Sequence, residues 1–188
     1  IFDIRKKKNL SKIVNKINPE IIFHLAAQPL VSDAYKDTSY TFETNVIGTI
    51  NILECMKSVK NLKSVVVVTS DKCYKNEGIY KKKFREIDPL GANDPYSTSK
   101  AAQELVVETY KNYIFQKRKF YLSTARAGNI IGGGDFSEDR IIPDYFRALM
   151  KRRSLMIRSF NSTRPWQHIF DVLAGYLKLA KIQNKNLE

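Results

Sequence analysis

Cysteine and histidine are scarce in this chain, two of each in 188 residues: Cys55 and Cys73, His24 and His168. Two thiols are too few for a disulfide framework, and the four side chains are too dispersed to make a four-ligand zinc site. No metal is expected, and a reducing cytoplasm fits. Glycine is sparse as well, with eight residues of which the first is Gly48. A glycine-rich strand-to-helix turn, the usual cradle of a dinucleotide pyrophosphate, is therefore absent from these residues. No apolar run approaches the roughly 20 residues that cross a bilayer, and residues 1–8 lack the apolar stretch of a secretory signal. A soluble protein with no membrane partner is expected. Acidic residues are outnumbered, 19 Asp plus Glu against 32 Lys plus Arg, which leaves a formal charge of +13. The basic residues are scattered through residues 6–8, 81–83, 151–153 and 178–185 with no RNA-binding motif around them. A solvated basic surface therefore outweighs a specific nucleic-acid partner.

The chain does have apolar residues, 43%, and aromatics, 11%, enough to bury a sizeable core and the opposite of the composition of a disordered tail. Its length suits one domain, or one domain and part of a second. It starts at Ile1 and stops at Glu188 directly after a helical pattern, so a fragment of a longer protein is expected.

Periodicity supplies the organisation. After a short extended piece at residues 1–4, Leu10, Ile13, Val14 and Ile17 form a helical stripe that Asn18-Pro19 ends. Residues 21–26 read as a strand buried on both faces. A helical rhythm through Phe42, Val46, Ile50 and Leu53 follows, and four consecutive valines, 65–68, make the clearest strand. Residues 70–94, with turn signals at Glu77-Gly78, Asp88-Pro89 and Asp94-Pro95, read as a long functional loop. From Tyr96 to Lys117 the pattern is helical, with Ala101, Leu105, Val106 and Tyr110 expected on one side, and residues 120–125 return to strand. Strands alternating with helices of this length imply α/β architecture, a doubly wound parallel sheet with its ligands at the strand ends after Ala26, Val68 and Ala125. A soft boundary falls near Gly128. Residues 1–128 form a dinucleotide-binding type of domain without its first two strands, and residues 129–188 begin a smaller substrate-binding region.

Tyr96 and Lys100 stand at i and i+4 of a helix, where an ammonium on the same face favours the phenolate and lets a phenol of ordinary pKa about 10 accept a proton near neutrality. The pair alone is weak, because a solvent-facing Tyr and Lys at this spacing is common. Its context is stronger. The helix follows a loop, and the loop follows a strand ending in Thr69-Ser70-Asp71-Lys72. His24 has a plain rival reading as a hydrogen-bonded core histidine, and Trp166 as a packing residue. Cys73 lies beside these residues, but no base stands in sequence to activate it.

The stretches HLAAQPLV (24–31), TSDKCY (69–74), DPYSTSKA (94–101), ARAGNIIGGGDFSEDRIIPD (125–144) and RPWQH (164–168), with Asn45, run in family order along nearly the whole chain. They resemble the extended short-chain dehydrogenase/reductase family and, within it, the CDP-glucose 4,6-dehydratases. The resemblance implies a Rossmann-type fold, tightly held NAD, a nucleotide-sugar substrate and a homodimer when intact. It implies that Tyr96 takes the proton of the sugar 4-hydroxyl, that Lys100 holds the nicotinamide ribose and lowers the Tyr96 pKa, and that Ser70 bonds the 4-oxygen. Asp71 and Lys72 are then the acid/base pair for elimination of water. The related dTDP-sugar enzymes resemble Thr-Asp-Glu here, so Ser70-Asp71-Lys72 points to the CDP branch. Asp3 and Ile4 fall at the adenine pocket, although Phe2 replaces the family glycine. Ala26, Ala27, Gln28, Asn45 and Thr69, with Tyr96 and Lys100, line the cofactor groove. Asn129, Arg140 and Arg164 contact substrate, the arginine fork suiting diphosphate oxygens. Two rivals stand beside this reading: another nucleotide-sugar epimerase or dehydratase of the family, and an inactive remnant whose basic surface binds nucleic acid. The 188 residues alone are expected to be inactive.

Overall fold

The computed structural model describes residues 2–76 and 83–185. Ile1, the turn signal at Glu77-Gly78 and two lysines of the 81–83 cluster lie outside the described residues. The expected extended piece at the amino end is a turn instead. Asp3 accepts the Arg5 backbone N–H at 2.9 Å, and the Lys6 N–H donates to the Asp3 carbonyl at 3.0 Å, so the chain folds back locally.

Helix α1 (Lys7–Ile17) buries Leu10, and Ile13 and Val14 pack against the core. It ends where Asn18 adopts a left-handed φ of 46° and gives its N–H to the Val14 carbonyl; Pro19 then forbids continuation. Strand β1 (Ile21–His24) is followed by α2 (Val31–Lys36) and α3 (Thr38–Phe42), then a single π-turn (Glu43–Ile47) and α4 (Gly48–Met56). Strand β2 (Ser64–Val68) leads into a short 3-10 turn (Asp71–Cys73). After the long loop come α5 (Pro95–Thr109), a second π-turn (Tyr110–Ile114) and β3 (Tyr121–Ala125).

The sheet order is β1-β2-β3, all parallel, with Ile21 opposite Ser64, Ser64 opposite Tyr121 and Val68 opposite Ala125. Its alternation assigns the two faces. Val65, Val67 and Leu122 belong to the core built with Leu10, Leu53, Met56, Val107 and Phe115. On the other face Ser64 donates to Gln183 Oε1 at 2.5 Å, and the Gln183 amide reaches Ser123 Oγ, which fastens helix α7 (Ile169–Lys185) there. Helices thus cover both faces, as the alternating pattern implied. Strand β1 corrects the expectation of a fully buried strand. It stops at His24 rather than Ala26, and Ile21 is exposed while Ile22 and Phe23 are half-buried. Among the described residues β1 pairs with β2 alone, with an open strand edge on its other side.

One compact unit comprises residues 2–127 and 175–185, and the second comprises residues 128–174. In the second, β4 (Asn129–Ile131) pairs in parallel with β5 (Trp166–His168), and α6 (Ile141–Met150) lies between them in sequence. Gly128 is required there by close approach: a Cβ would stand 2.7 Å from the Pro165 carbonyl oxygen. Among the described residues no helix is long and apolar enough to cross a membrane.

Candidate active site

Parallel pairing brings the carboxyl ends of β1, β2 and β3 to one edge, with His24 opposite Val67 and Val68 opposite Ala125. Past these ends the chain turns sharply. The Thr69 N–H donates to the Ala125 carbonyl at 2.9 Å and the Asp71 N–H to the Ala127 carbonyl at 3.1 Å, so the turn bearing Ser70, Asp71 and Lys72 hangs from the segment after β3. Ser70 caps this turn, its Oγ accepting the Lys72 N–H at 3.3 Å and donating to Asp71 Oδ1 at 3.2 Å.

Helix α5 packs against the turn. Its start is fixed by Asp94, which accepts the Ser97 N–H at 2.9 Å and the Ser97 hydroxyl at 2.5 Å, and by Pro95 at the first helical position. That start sets the phase of the helix, and both Tyr96 (8% exposed) and Lys100 (2%) face inward. The Lys72 Nζ stands 5.7 Å from the Tyr96 ring centroid, so a cation lies over the phenol from the turn side. Tyr96, Lys72, Asp71 and Ser70 are thus brought together by two adjacent segments.

Lys100 donates to the Val68 carbonyl at 3.2 Å and to Gln103 Oε1 at 3.0 Å. Gln103 Nε2 donates to Thr49 Oγ1 at 2.8 Å, and the Thr49 hydroxyl donates to the Asn45 carbonyl at 2.6 Å. With the Thr49 proton engaged there, His24, 3.0 Å away, donates through Nε2. Burial pushes the Lys100 ammonium down to about 8. His24, buried as its plain reading required, is lowered to about 4 by desolvation first and the Lys100 charge second. The unfolded chain protonates His24 near 6.5 while the folded chain resists until about 4. This histidine's contribution is therefore complete above pH 6.5 and is lost as pH falls through that window, about 3 kcal/mol in all. Denaturant unfolding of the His24→Gln variant, whose amide keeps a donor and does not titrate, should show the acid-side slope reduced by that amount. An unchanged slope would remove His24 as its source.

Gln28 and Asn45 form a second knot. Asn45 Oδ1 accepts the Gln28 N–H at 2.8 Å, and its Nδ2 donates to the Gln28 carbonyl at 3.1 Å and to Ser99 Oγ at 2.9 Å; Ser99 in turn donates to the Tyr96 carbonyl at 2.7 Å. Asn45 therefore ties the loop after β1 to the helix of Tyr96, and it does so from the π-turn, a local irregularity of the kind often found at functional sites. Beside it Thr44 Oγ1 is buried without a hydrogen-bond partner. Ala26 is exposed and Ala27 half-buried, two small side chains just past the strand end. Lys100, with two of its three N–H donors engaged, keeps one for a ligand hydroxyl. This donor set fits the ribose and nicotinamide end of NAD. Asp3 is bonded by Arg5 through three side-chain bonds of 2.6–3.1 Å that hold its carboxyl down at about 2, and the Ile4 carbonyl accepts from Asn51 at 2.9 Å.

The apolar-stripe reading of α5 holds for Ala101, which is buried, and for Val106 and Tyr110, which pack against the core, and needs correction at Leu105. Leu105 is 55% exposed, and the buried face carries Gln103, Glu104 and Val107 with Ala101. Polar residues occupy that face because each has partners. Glu104 receives Thr69 Oγ1 on one oxygen and, on the other, Thr124 Oγ1 at 2.8 Å and Arg126 Nη2 at 2.8 Å. Glu104, Gln103, Thr49 and Arg126 were missed by sequence reasoning. The available signal was Glu104 one turn beyond Lys100 and Arg126 directly after a strand end. Cys73 lies in the same region, and burial pushes its thiol up to about 12, which leaves it unreactive.

Asn129, Arg140 and Arg164 all lie in the second unit. The Asn129 N–H donates to the Pro165 carbonyl at 3.1 Å, Arg140 pairs with Asp135 at 3.0 Å ahead of α6, and Arg164 is exposed with one contact to the Thr163 carbonyl. Among the described residues no group of three or more His, Cys, Asp or Glu side chains could hold a metal ion.

The profile of the family described as GDP-mannose 4,6 dehydratase matches residues 1–186. The chain is 44% identical over 187 residues to a CDP-glucose 4,6-dehydratase of Salmonella typhimurium, an alignment covering 96% of this chain and 52% of that protein. It superposes on a dTDP-glucose 4,6-dehydratase of Streptomyces venezuelae, solved with NAD bound, with a TM-score of 0.82 and 28% identity over 95% of this chain and 53% of that one. A UDP-glucose 4-epimerase of Thermotoga maritima shares the fold at a TM-score of 0.83 and 20% identity, covering 94% of this chain and 56% of that one. The chain spans about half the length of these relatives.

Proposed function

Since the chain belongs to the GDP-mannose 4,6-dehydratase family, we propose that the intact protein is a nucleotide-sugar 4,6-dehydratase, a hydro-lyase that converts CDP-glucose to CDP-4-keto-6-deoxyglucose. The observation that carries this reading is the Ser70-Asp71-Lys72 turn packed against the helix of Tyr96 and Lys100. Tyr96, as phenolate, takes the proton of the sugar 4-hydroxyl, and Ser70 Oγ steadies the 4-oxygen. Lys100 and the Lys72 ammonium over the ring both favour that phenolate. Ala26, Ala27, Gln28, Asn45, Thr69 and Lys100, with Asp3 and Ile4 toward the adenine, would hold NAD, which when bound would supply the hydride chemistry, taking up the C4 hydride and giving it back at C6 while the base that took the C5 proton returns it to C5. Once C4 is a ketone the C5 proton is acidic. Asp71 and Lys72 divide the elimination between them, one removing that proton and the other protonating the departing C6 hydroxyl. Asn129, Arg140 and Arg164 bind the nucleotide sugar.

An epimerase is the second reading, favoured by the shared fold of the Thermotoga enzyme. It needs Tyr96 and Lys100 but no acid/base pair for loss of water. Incubating the intact protein with CDP-glucose and NAD separates the two: mass spectrometry should find the 4-keto-6-deoxy sugar, and a product of unchanged mass would overturn the dehydratase assignment. The same assay with dTDP-glucose tests the base. Catalytic efficiency with CDP-glucose should exceed it by at least about tenfold, equivalent to roughly 1.4 kcal/mol, and equal efficiencies would sink the CDP assignment.

A further inference from the structure

Arg126 and Glu104 take no part in the steps above, yet they sit directly against the turn that carries Asp71 and Lys72. We propose that Arg126 is a positioning residue that holds this turn at both ends, so that Asp71 and Lys72 meet the sugar in the elimination step. The proposal rests on the assignment of elimination to those two residues.

The entry of the turn is bonded to the backbone on either side of Arg126: Thr69 N–H to the Ala125 carbonyl at 2.9 Å, Asp71 N–H to the Ala127 carbonyl at 3.1 Å. The exit lies under its side chain, with the guanidinium carbon 4.9 Å from the centroid of the Tyr74 ring, which itself stacks on Phe84 at 4.8 Å. Two further contacts fix the guanidinium plane. Its Nη2 donates to Glu104 Oε2 at 2.8 Å and its Nη1 to the Glu86 carbonyl at 3.0 Å. Glu104 is 4% exposed and also receives the hydroxyl of Thr69, which leads from β2 into the turn. A buried carboxylate with three donors cannot drift, because each displacement leaves an unpaired polar group in a low dielectric. The planar fork is what joins these contacts. A lysine ammonium offers one compact centre and cannot bond Glu104 and the Glu86 carbonyl while lying flat over Tyr74.

Arg126→Lys and Arg126→Gln in the intact protein test the proposal. Lysine keeps a cation opposite Glu104 and so preserves the fold should glutamine not. Amide exchange of residues 71–74 should quicken by about tenfold or more while that of residues 97–104 in α5 stays as in the parent. In quenched reactions with CDP-glucose and NAD the nucleotide-linked 4-ketohexose should accumulate ahead of the 4-keto-6-deoxy product, with the lysine variant intermediate. Unchanged exchange at residues 71–74, or equal loosening of α5, overturns the positioning role. Faster exchange confined to the turn without accumulated ketohexose supports the clamp and instead overturns the assignment of elimination to Asp71 and Lys72.

Discussion

Tyr96→Phe in the intact protein is expected to lower turnover of CDP-glucose by about 10²–10⁴-fold, the range of a positioned general base, while nucleotide-sugar affinity changes by no more than a factor of a few. The two effects separate because the ring and the hydroxyl do different things. Phenylalanine keeps the buried ring under Lys72 and leaves the Ser99 bond to the residue 96 carbonyl intact, since that bond uses backbone only. What it removes is the one oxygen able to take the 4-hydroxyl proton. Steady-state kinetics alongside a calorimetric titration with a CDP-sugar would read both quantities. Near-normal turnover would take Tyr96 out of the reaction, and a parallel loss of affinity would mean that the hydroxyl serves binding rather than proton transfer.

The second large effect is on stability and has the opposite sign from most core substitutions. Lys100 is buried and its pKa lies at about 8, against 10.5 for the free side chain, because its ammonium is desolvated. Between those values the unfolded chain carries a proton that the folded chain does not, so stability rises with pH through the window. The cost of the buried charge is complete below pH 8 and gone above 10.5. Methionine has a similar stem and no charge. Comparing denaturant unfolding of the parent and Lys100→Met, the parent should gain about 3 kcal/mol relative to the variant between about pH 7 and about pH 10.5. Bonds lost to Val68 and Gln103 shift the two curves by a constant and leave this difference untouched. Parallel curves would show that Lys100 is solvated as an ordinary lysine. The enzyme tolerates this cost, on the proposed reading, because an ammonium at that point favours the Tyr96 phenolate.

Local pattern was the most legible part of the sequence. Leu10, Ile13 and Val14 of the first stripe, the valine run of β2 and the helical pattern opening at Tyr96 each state their structure within a few residues and are found where the pattern places them, although Ile17 is exposed and Pro95, read as part of a turn signal, is the first residue of α5. The errors share a cause, which is that burial depends on partners distant in sequence. Residues 21–26 are apolar enough to be buried on both faces, but Ile21, Leu25 and Ala26 are exposed, and among the described residues β1 pairs with β2 alone. Leu105 is apolar enough for the core, but the inner face of α5 goes to Gln103 and Glu104, whose partners Thr49, Thr69, Thr124 and Arg126 come from three other segments. The candidate site divides the same way. Tyr96 and Lys100 were readable because i, i+4 spacing is local, and Ser70, Asp71 and Lys72 because they are contiguous. The supports of Lys100 and of the turn were not readable, since no spacing rule links a helix residue to an arginine after the next strand.

The parallel register of the sheet also governs how the molecule comes into being. Ile21 must find Ser64, and Ser64 must find Tyr121, across segments that contain α2, α3 and α4 in the first case and the long loop and α5 in the second. Among the described residues no hairpin joins two of these strands, so neither pairing can be seeded by a tight turn, and loop-closure entropy is spent before any ladder bond repays it. The helices, whose contacts are local, are expected to order before the strands. During that interval the four valines 65–68 are exposed on a chain without its neighbours, which makes β2 the segment most in need of protection while the protein is being synthesised.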